Sequence, residues 1–433
     1  MYLFTSSLMS LFIMPIYVWL VIIMSLLVPV WMMYTYKLNY NLIDSIFYDN
    51  SMNSMLCFMT ITLSLFILVS TGSMLNSYYF IMLIMLEMIL CNCFMTNNLL
   101  LFFILFESSL LPLLLMMLSY GYQPERLMSI LYLTMYTVLG SIPLLIFVLY
   151  IWFNMSTMII PLMSMFSMKP SYLYLIVLIP FSVKLPIYSF HIWLPKAHVE
   201  APLGGSMMLA GAMLKLGGYG MFLFSDLITY QSMVYSYMLI ICLSLWGGLL
   251  SSFVCLYQMD IKSMIAYSSV VHMSMLVVSV LSNTSWGFMG SILIMISHGW
   301  VSSCLFMMAY STYETTGSRS FMLTKGLLNY YPIFSLLWFI MVSVNMSFPP
   351  TINLMGELSS LAVMSYMSVY LTVVMLLIMF MSVLYNMYLY VYINHGSSNS
   401  YSNITSLPKS KWYTVSLVHL LPLLLILKLN LMY

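Results

Sequence analysis

The sequence predicts an all-α polytopic membrane protein, and three features support this fold class. Of the 433 residues, 63% are hydrophobic and only 5% are charged, whereas a typical soluble domain is about 25% charged. Four long stretches contain no Asp, Glu, Lys or Arg: residues 1–36, 50–86, 127–168 and 263–313. On average there is one charge per roughly 20 residues, which is about the length of one helix that crosses a bilayer. A water-soluble domain is therefore excluded.

The apolar runs are continuous and about twice the ten-residue length of a barrel strand. Helices are then the remaining way to satisfy the backbone in lipid. The runs and their polar breaks predict about fourteen spans, numbered 1 to 14 along the chain, with a break inside span 12. These spans lie near residues 1–14, 16–36, 53–70, 78–96, 98–119, 128–152, 172–195, 203–225, 232–256, 262–281, 286–310, 327–362, 367–393 and 411–432.

Basic residues are concentrated in alternate loops. The connections after spans 6 and 8 carry only Lys169. The connections after spans 5, 7, 9, 11 and 13 carry Arg126, Lys196, Lys262, Arg319, Lys325, Lys409 and Lys411. By the positive-inside rule, this second set faces the cytoplasm, or the matrix if the protein is mitochondrial.

Four charged side chains lie inside predicted spans: Glu107, Lys184, Lys215 and Glu357. A charge at the bilayer centre costs about 3 kcal/mol even on a lenient scale, so each needs a partner or a purpose. One interpretation is two structural ion pairs that join helices. The other is a proton pathway, in which a moving carboxylate loads or unloads a buried lysine. The spacing does not show which charges meet.

Prolines predict a break in span 7. Pro180 and Pro186 lie on either side of Lys184. Because proline lacks an N–H group and clashes with the carbonyl four residues earlier, the helix should break around the lysine and free the carbonyls of Ile176 and Ser182. Irregular backbone at membrane depth is tolerated where it is buried in protein or lines a wet cavity.

The second half of the chain repeats this arrangement in span 12. Pro349 and Pro350 precede Glu357 by about two helical turns. Two interrupted helices with ionisable groups, one in each half of a chain, are typical of inverted-repeat transporters with a pathway near the midplane.

Two histidines lie in the uncharged region between these breaks. His272 and His298 fall on consecutive predicted spans. A single histidine on an apolar helix is more often a core residue with satisfied hydrogen bonds. Two of them in a protein with four buried charges favour a proton relay, because imidazole exchanges a proton near neutral pH.

No cofactor or metal motif is found in the sequence. His191 and His198 with Glu200 invite a zinc interpretation, but a spacing of seven with an intervening proline fits no regular ligand helix. The segments GGSMMLAGAM and KLGGYG predict helix-packing surfaces and match neither a phosphate loop nor a dinucleotide fingerprint. With so little charge, there is no basic patch for nucleic acid.

The chain resembles the antiporter-like subunits of mitochondrial NADH:ubiquinone oxidoreductase, respiratory complex I, in four segments: PFSVKLPIYSFHIWLPKAHVEAPLGGSMMLAGAMLKLGGYG, YQMDIKSMIAYSSVVHMS, FPPTINLMGEL and GYQPERL. The resemblance runs from about Glu87 to the C-terminus. It implies fourteen transmembrane helices, with spans 4–8 and 9–13 forming two inverted repeats in which spans 7 and 12 are broken. The single membrane domain, 1–433, would comprise N-terminal helices (1–75), two repeats (78–226 and 230–393) and a C-terminal helix (411–433).

The resemblance also implies a proton relay. Its members would be the carboxylate of span 5, the lysines of spans 7 and 8, two relay histidines of the second half, and the exit-side carboxylate of span 12. These are Glu107, Lys184, Lys215, His272, His298 and Glu357.

The implied function is proton translocation across the inner mitochondrial membrane, driven by electron transfer from NADH to ubiquinone in other subunits. NADH, FMN, iron–sulfur clusters and ubiquinone would be bound by those partner subunits and none by this chain. The chain would lie in the lipid bilayer between two other antiporter-like chains, contact accessory subunits and bind no nucleic acid.

Two alternatives predict different behaviour. A cation/proton antiporter shares the same motifs, but Na⁺ rather than NADH would drive it. A membrane scaffold without transport would leave pumping intact when Lys184 or Glu357 is replaced by a neutral residue.

Overall fold

The computed structural model describes residues 51–71, 77–154, 158–160, 173–227, 234–397 and 408–424. Within these ranges the regular structure is helical, and the only β pairings are two isolated bridges. Nine helical stretches there are long and apolar enough to cross a membrane. The predicted all-α polytopic membrane fold is confirmed. Predicted spans 1 and 2 lie outside the described residues.

The first half of the described chain contains nine helices and a π-helical turn between the last two. They are α1 (Ser51–Thr71), α2 (Ser77–Met95), α3 (Leu99–Ser108), α4 (Leu110–Tyr120), α5 (Arg126–Asn154), α6 (Leu173–Lys184), α7 (Trp193–Glu200), α8 (Leu203–Met208), the π turn (Leu209–Met213) and α9 (Leu214–Leu227). Helices α3 and α4 form one span with an irregular residue, Ser109, between them. The interruption follows from Pro112, which cannot donate to the carbonyl of Ser108.

The second half contains eight described helices. They are α10 (Val234–Tyr257), α11 (Ile261–Leu281), α12 (Ser285–Thr316), α13 (Leu327–Tyr330), α14 (Pro332–Asn345), α15 (Ile352–Met367), α16 (Val369–Asn394) and α17 (Ser410–Leu424).

Local signals set several helix ends. The Asn98 side chain accepts from Leu100 N at 3.1 Å and caps the start of α3. The Thr284 hydroxyl accepts from Gly287 N at 3.1 Å and caps the start of α12. Gly317 ends α12 with a φ of 71°, a left-handed conformation that glycine adopts at no steric cost.

The helix of predicted span 7 breaks at Lys184, between the two prolines, as the sequence predicts. Helix α6 continues through Pro180, and a 3₁₀ turn at Tyr188–Phe190 separates it from α7. The prediction of a free Ser182 carbonyl is wrong, because this oxygen accepts from Ile187 N at 3.2 Å. A local backbone bond thus satisfies the group that the irregular segment would otherwise leave unpaired.

The second predicted break lies between α14 and α15. Helix α14 ends at Asn345, and α15 begins at Ile352 after a non-helical segment that contains Pro349 and Pro350. Glu357 therefore lies in the second turn of a helix that begins within a predicted span.

The centre of the molecule is formed by α11, α12 and the helices around the π turn. In their most apolar 18-residue windows, 94% of the residues of α11 and of α12 are buried, against 39% for α5 and 33% for α16. A helix that is apolar on all sides and enclosed by other helices is a core helix. Helices α9, α11 and α12 carry Lys215, His272 and His298, so the candidate relay lies at the centre of the bundle.

Arg319 joins three connections at one end of the bundle. Its Nη1 donates to Val199 O at 3.0 Å, and its Nη2 donates to the Gln123 side chain at 3.1 Å. The same Nη1 lies 3.8 Å from Glu200 Oε1, and Ile261 N donates to Arg319 O at 3.1 Å. The connections after predicted spans 5, 7, 9 and 11 therefore meet at one side, as alternate loops of a multi-span protein should.

The Arg319→Ala variant is expected to lose about 1–3 kcal/mol of stability, because a carbonyl and a buried carboxylate lose a charged partner. The thermal midpoint of the solubilised protein measures this loss. Lys409→Ala is the matched control, since Lys409 pairs with Glu314 but its side chain is 58% exposed. Such a surface pair contributes less than about 1 kcal/mol. Equal midpoints for the two variants would contradict the role of Arg319.

Candidate functional site

Four titratable side chains form a line through the buried centre. Lys215 Nζ lies 2.9 Å from His298 Nδ1. The rings of His298 and His272 have centroids 5.7 Å apart, and His272 Nδ1 lies 3.5 Å from Glu357 Oε1. Each of the four residues is at most 3% exposed. The structure therefore brings together four of the six site residues that the sequence predicts.

Neighbouring side chains in this line lie close together, but only the first pair, Lys215 and His298, shares a hydrogen bond. Lys215 bonds to His298, whereas neither ring nitrogen of His272 has a hydrogen-bond partner. His272 and Glu357 are within ion-pair distance without hydrogen-bond alignment. His272 therefore lies between two titratable neighbours, with both of its ring nitrogens unpaired.

Lys215 lies just after the π turn. Its ammonium donates to Ala210 O at 2.6 Å as well as to His298. Helical side chains lean toward the N-terminus of their helix, so the lysine reaches back to a carbonyl five residues earlier. Single π turns inside α-helices are frequent at functional sites. Both acceptors are neutral, and no described carboxylate forms an ion pair with this lysine.

Asn353 positions the carboxylate of Glu357. Its Nδ2 donates to Glu357 Oε1 at 3.2 Å and to Ser347 Oγ at 2.9 Å. Its Oδ1 accepts from Ser297 Oγ at 3.1 Å. One amide thus ties the end of the line to α12 and to the irregular segment before α15. Asn353 is not among the site residues predicted from the sequence, where its only signal is a position one helical turn before Glu357.

The Asn353→Leu variant is expected to slow any proton-coupled turnover by about tenfold, because one charge-assisted hydrogen bond contributes roughly 1.5 kcal/mol or more. Leucine has nearly the same volume, so the protein should still assemble. The turnover rate of the assembled protein, measured beside its amount on a native gel, checks this. An unchanged rate would show that Glu357 needs no support from Asn353.

Lys184 and Glu107 form a separate pair of neighbours. Lys184 Nζ donates to Phe106 O at 2.8 Å and lies 3.0 Å from the centroid of the Phe106 ring. Glu107, the next residue, interacts electrostatically with Lys184 and hydrogen-bonds to Ser141. Its Oε1 is buried without a hydrogen-bond partner. The lysine therefore rests on a neutral carbonyl and an aromatic face, with the carboxylate near but not bound.

None of the four buried charges forms an ion pair with another of the four. The interpretation as two structural ion pairs predicts direct contacts between lysine and carboxylate groups. The lysines instead bind carbonyls, an aromatic ring and an imidazole. This arrangement does not support the structural interpretation.

A cavity of about 10 Å³ lies beside Lys184, which is room for about one water molecule. Lys184 lies in one wall, and residues at the two ends of the π turn lie in another. Its lining is Leu110, Leu113, Leu133, Thr137, Lys184, Trp193, Leu209 and Met213. The cavity therefore lies between Lys184 and the π turn that precedes Lys215. The two ammonium groups are not in contact.

Glu87 is a third intramembrane carboxylate, and it is not among the site residues predicted from the sequence. It lies in the middle of α2 and hydrogen-bonds to Ser64 of α1. The signal was the same as for Glu107, a charge within an apolar run of 19 residues. The side-chain partner of Glu87 is Ser64, which is not one of the predicted relay residues.

The two histidines considered for zinc have different surroundings. His191 Nδ1 contacts the carbonyl of Tyr188. The His198 ring stacks on Phe306, with centroids 4.4 Å apart. Among the described residues, no group of three or more His, Cys, Asp or Glu side chains could hold a metal ion.

Comparisons with known proteins agree with the resemblance seen in the sequence. The family profile described as NADH:quinone oxidoreductase/Mrp antiporter, TM, matches residues 96–384. NADH-ubiquinone oxidoreductase chain 4 of Albinaria caerulea is 39% identical over 374 residues, 86% of this chain and 86% of that protein. The protein of the same name from Aedes aegypti is 45% identical over 325 residues, 74% of this chain and 72% of that protein.

Two solved structures share the fold. A chain of respiratory complex I from Thermus thermophilus with bound NADH superposes with a TM-score of 0.81 at 22% identity, covering 88% of this chain and 81% of that chain. A chain of the Mrp complex from Dietzia sp. superposes with a TM-score of 0.79 at 16% identity, with the same coverage. The profile match and the curated relatives show that this chain belongs to the NADH:quinone oxidoreductase/Mrp antiporter transmembrane family, among its NADH-ubiquinone oxidoreductase chain 4 members.

Proposed function

We propose that the chain is the proton-translocating membrane subunit of a NADH:ubiquinone oxidoreductase in the inner mitochondrial membrane. The names of its animal relatives support the assignment to this enzyme and to the inner mitochondrial membrane. The observation that carries the proton role is the buried line from Lys215 through His298 and His272 to Glu357. Each of these side chains can bind and release a proton, and each lies next to another that can do the same.

The geometry gives each group a defined step. Lys215 can pass a proton to His298, because the two share a hydrogen bond of 2.9 Å. An imidazole accepts a proton on one nitrogen and releases one from the other, so the two rings can pass it on to Glu357. Asn353 keeps the receiving carboxylate oxygen in place.

Lys184 and Glu107 would supply the driving step. When Glu107 approaches Lys184, the lysine keeps its proton, and when the carboxylate withdraws, the proton can leave. The cavity beside Lys184 offers space for a water toward the π turn. The relay thus consists of the six residues predicted from the sequence, in the order Glu107, Lys184, Lys215, His298, His272 and Glu357.

The Lys215–His298 contact lies where the two proposed inverted repeats meet. Residues 78–226 form the first repeat in this proposal, and residues 230–393 form the second. The line therefore begins in one repeat and ends in the other. The basic connections, which meet around Arg319, face the matrix in this arrangement.

The proposed partners are the other subunits of the enzyme. These comprise two neighbouring antiporter-like chains and accessory subunits, and the partner subunits carry NADH, FMN, iron–sulfur clusters and ubiquinone. The names of the curated relatives support a multi-subunit NADH-ubiquinone oxidoreductase. Electron transfer would take place in those subunits, and this chain would use the free energy that it releases to move protons across the membrane.

A cation/proton antiporter is the second candidate function. The similarity to a chain of the Mrp complex, with a TM-score of 0.79, favours it. The same line of side chains would then move protons in exchange for a cation. The two candidates differ in what drives the flux.

The test begins with a native gel of gently solubilised source membranes, stained for NADH dehydrogenase activity. The active band, identified by mass spectrometry, is expected to contain this chain together with flavin and iron–sulfur subunits. When that band is reconstituted into liposomes, NADH and a quinone should drive proton flux without Na⁺. A chain found only in a band without NADH activity, with proton flux that depends on Na⁺, would favour the antiporter instead.

A further inference from the structure

His198 is a buried histidine that the proposed relay does not use. It lies in the last turn of α7 and is 0% exposed. Its ring stacks on Phe306 with an interplanar angle of 4°. Within the described part of the chain, neither ring nitrogen has a hydrogen-bond partner. An unpaired buried polar group costs about 1–3 kcal/mol, so its presence calls for an explanation.

His198 lies between one end of the bundle and the relay. Its stacking partner Phe306 lies on α12, about two turns beyond His298. Lys262 and Lys215 lie close enough for their charges to act on its ring. Lys262 is the second residue of α11, whereas Lys215 lies near the middle of the span Leu203–Ser225. The histidine therefore lies between a charge at the membrane boundary and the first member of the central line.

Two side chains at the membrane boundary next to His198, Lys262 and Glu200, could supply a proton. Lys262 Nζ lies 3.5 Å from Val199 O and 3.4 Å from Ala201 O, directly beside the histidine in sequence. Glu200 Oε1 pairs with Arg319, while Oε2 is buried without a partner. A carboxylate oxygen that is free and close to the surface can take up a proton and hold it for transfer.

We propose that His198 is the uptake residue of the relay, passing protons from the boundary cluster of Glu200 and Lys262 to Lys215. This inference rests on the proposed proton-translocating function. One ring nitrogen accepts a proton from the boundary while the other releases one toward Lys215, so the ring returns to its neutral form. The free nitrogens leave both steps open, and the positive charges on either side keep the proton from remaining on the ring. Because the positive-inside rule places the basic connections on the matrix side, the protons are taken up from the matrix.

The test uses the assembled enzyme in liposomes with the variant His198→Phe. Phenylalanine keeps the stack on Phe306 and the volume but has no nitrogen, so assembly should persist. NADH-driven proton pumping should fall by about 100-fold, the lower end of the range for a positioned acid–base group. The loss should be larger when the matrix-side pH is high, because protons must then enter directly from a more dilute solution. A merely structural histidine would show no such pH dependence.

The control variant is Phe306→Leu, which removes the stacking partner and keeps the imidazole. It should pump at close to the wild-type rate. If His198→Phe fails to assemble, His198→Gln replaces it, because an amide keeps hydrogen-bonding capacity but accepts no proton. The same loss of pumping is expected for that variant.

The outcomes separate this inference from the proposed function. If the His198 variants pump normally while Lys215→Met does not, the uptake role is wrong and the relay stands. If Lys215→Met also pumps normally, the proposed function fails as well. A loss at His198 that is equal at every pH would overturn the uptake role, since it would indicate a structural contribution.

Discussion

The Lys184→Met variant is expected to assemble normally and to pump protons at least about 100-fold more slowly than the wild type, as befits the loss of a positioned acid–base group. Methionine is close to lysine in length and keeps a favourable contact with the Phe106 ring. It has no charge for Glu107 to act on and no proton to release. The rates of NADH oxidation and of acidification in liposomes measure the effect.

Lys184→Arg is the matched variant, and a milder loss is expected. The guanidinium keeps the positive charge near Phe106 and Glu107 but never releases its proton. Comparison of the two variants separates the need for a charge from the need for a transferable proton. Normal pumping by an assembled Lys184→Met variant would show that Lys184 has no proton role.

Lys215→Met is expected to have an effect at least as large. This change removes the hydrogen bond to His298, which is the one aligned link in the central line. It also leaves the carbonyl of Ala210 without the lysine. Proton pumping should fall by about 100-fold or more, because the line is interrupted at the contact between the two proposed repeats. Lys409→Met, at an exposed site, should leave the rate unchanged.

The measurement for Lys215→Met is the ratio of protons moved to NADH oxidised, together with the oxidation rate itself. A tightly coupled enzyme should oxidise NADH slowly when its relay is blocked. An unchanged ratio at an unchanged rate would contradict any proton role for this lysine. A fall in the amount of assembled protein on a native gel would identify a structural effect instead.

Charge in an apolar sequence made much of the candidate site predictable. Lys184 and Lys215 could be recognised in the sequence because a charge inside a membrane span is costly and therefore uncommon. The flanking prolines predicted both the break in this span and its position around Lys184. Pro180 itself lies inside α6, which continues for one turn beyond it. The sequence did not predict the backbone bond from Ile187 that satisfies the carbonyl of Ser182.

The contacts between these residues were not predictable from the sequence. His298 lies 83 residues from Lys215, and their hydrogen bond depends on how α9 and α12 pack. The π turn before Lys215 is a run of small and apolar residues with no distinctive pattern. Asn353 carries no charge, so nothing but its spacing marked it as a partner of Glu357. Long-range packing and neutral hydrogen-bonding groups leave weak signals in a single sequence.

The central claim is that Lys215 and Glu357 belong to one proton path. The most direct test is a comparison of Lys215→Met, Glu357→Gln and the double variant in the same liposome assay. Two interruptions of one path should be no worse than the more severe single interruption, so the double variant should match the slower single variant. A double variant whose loss equals the product of the two separate losses would contradict a single path.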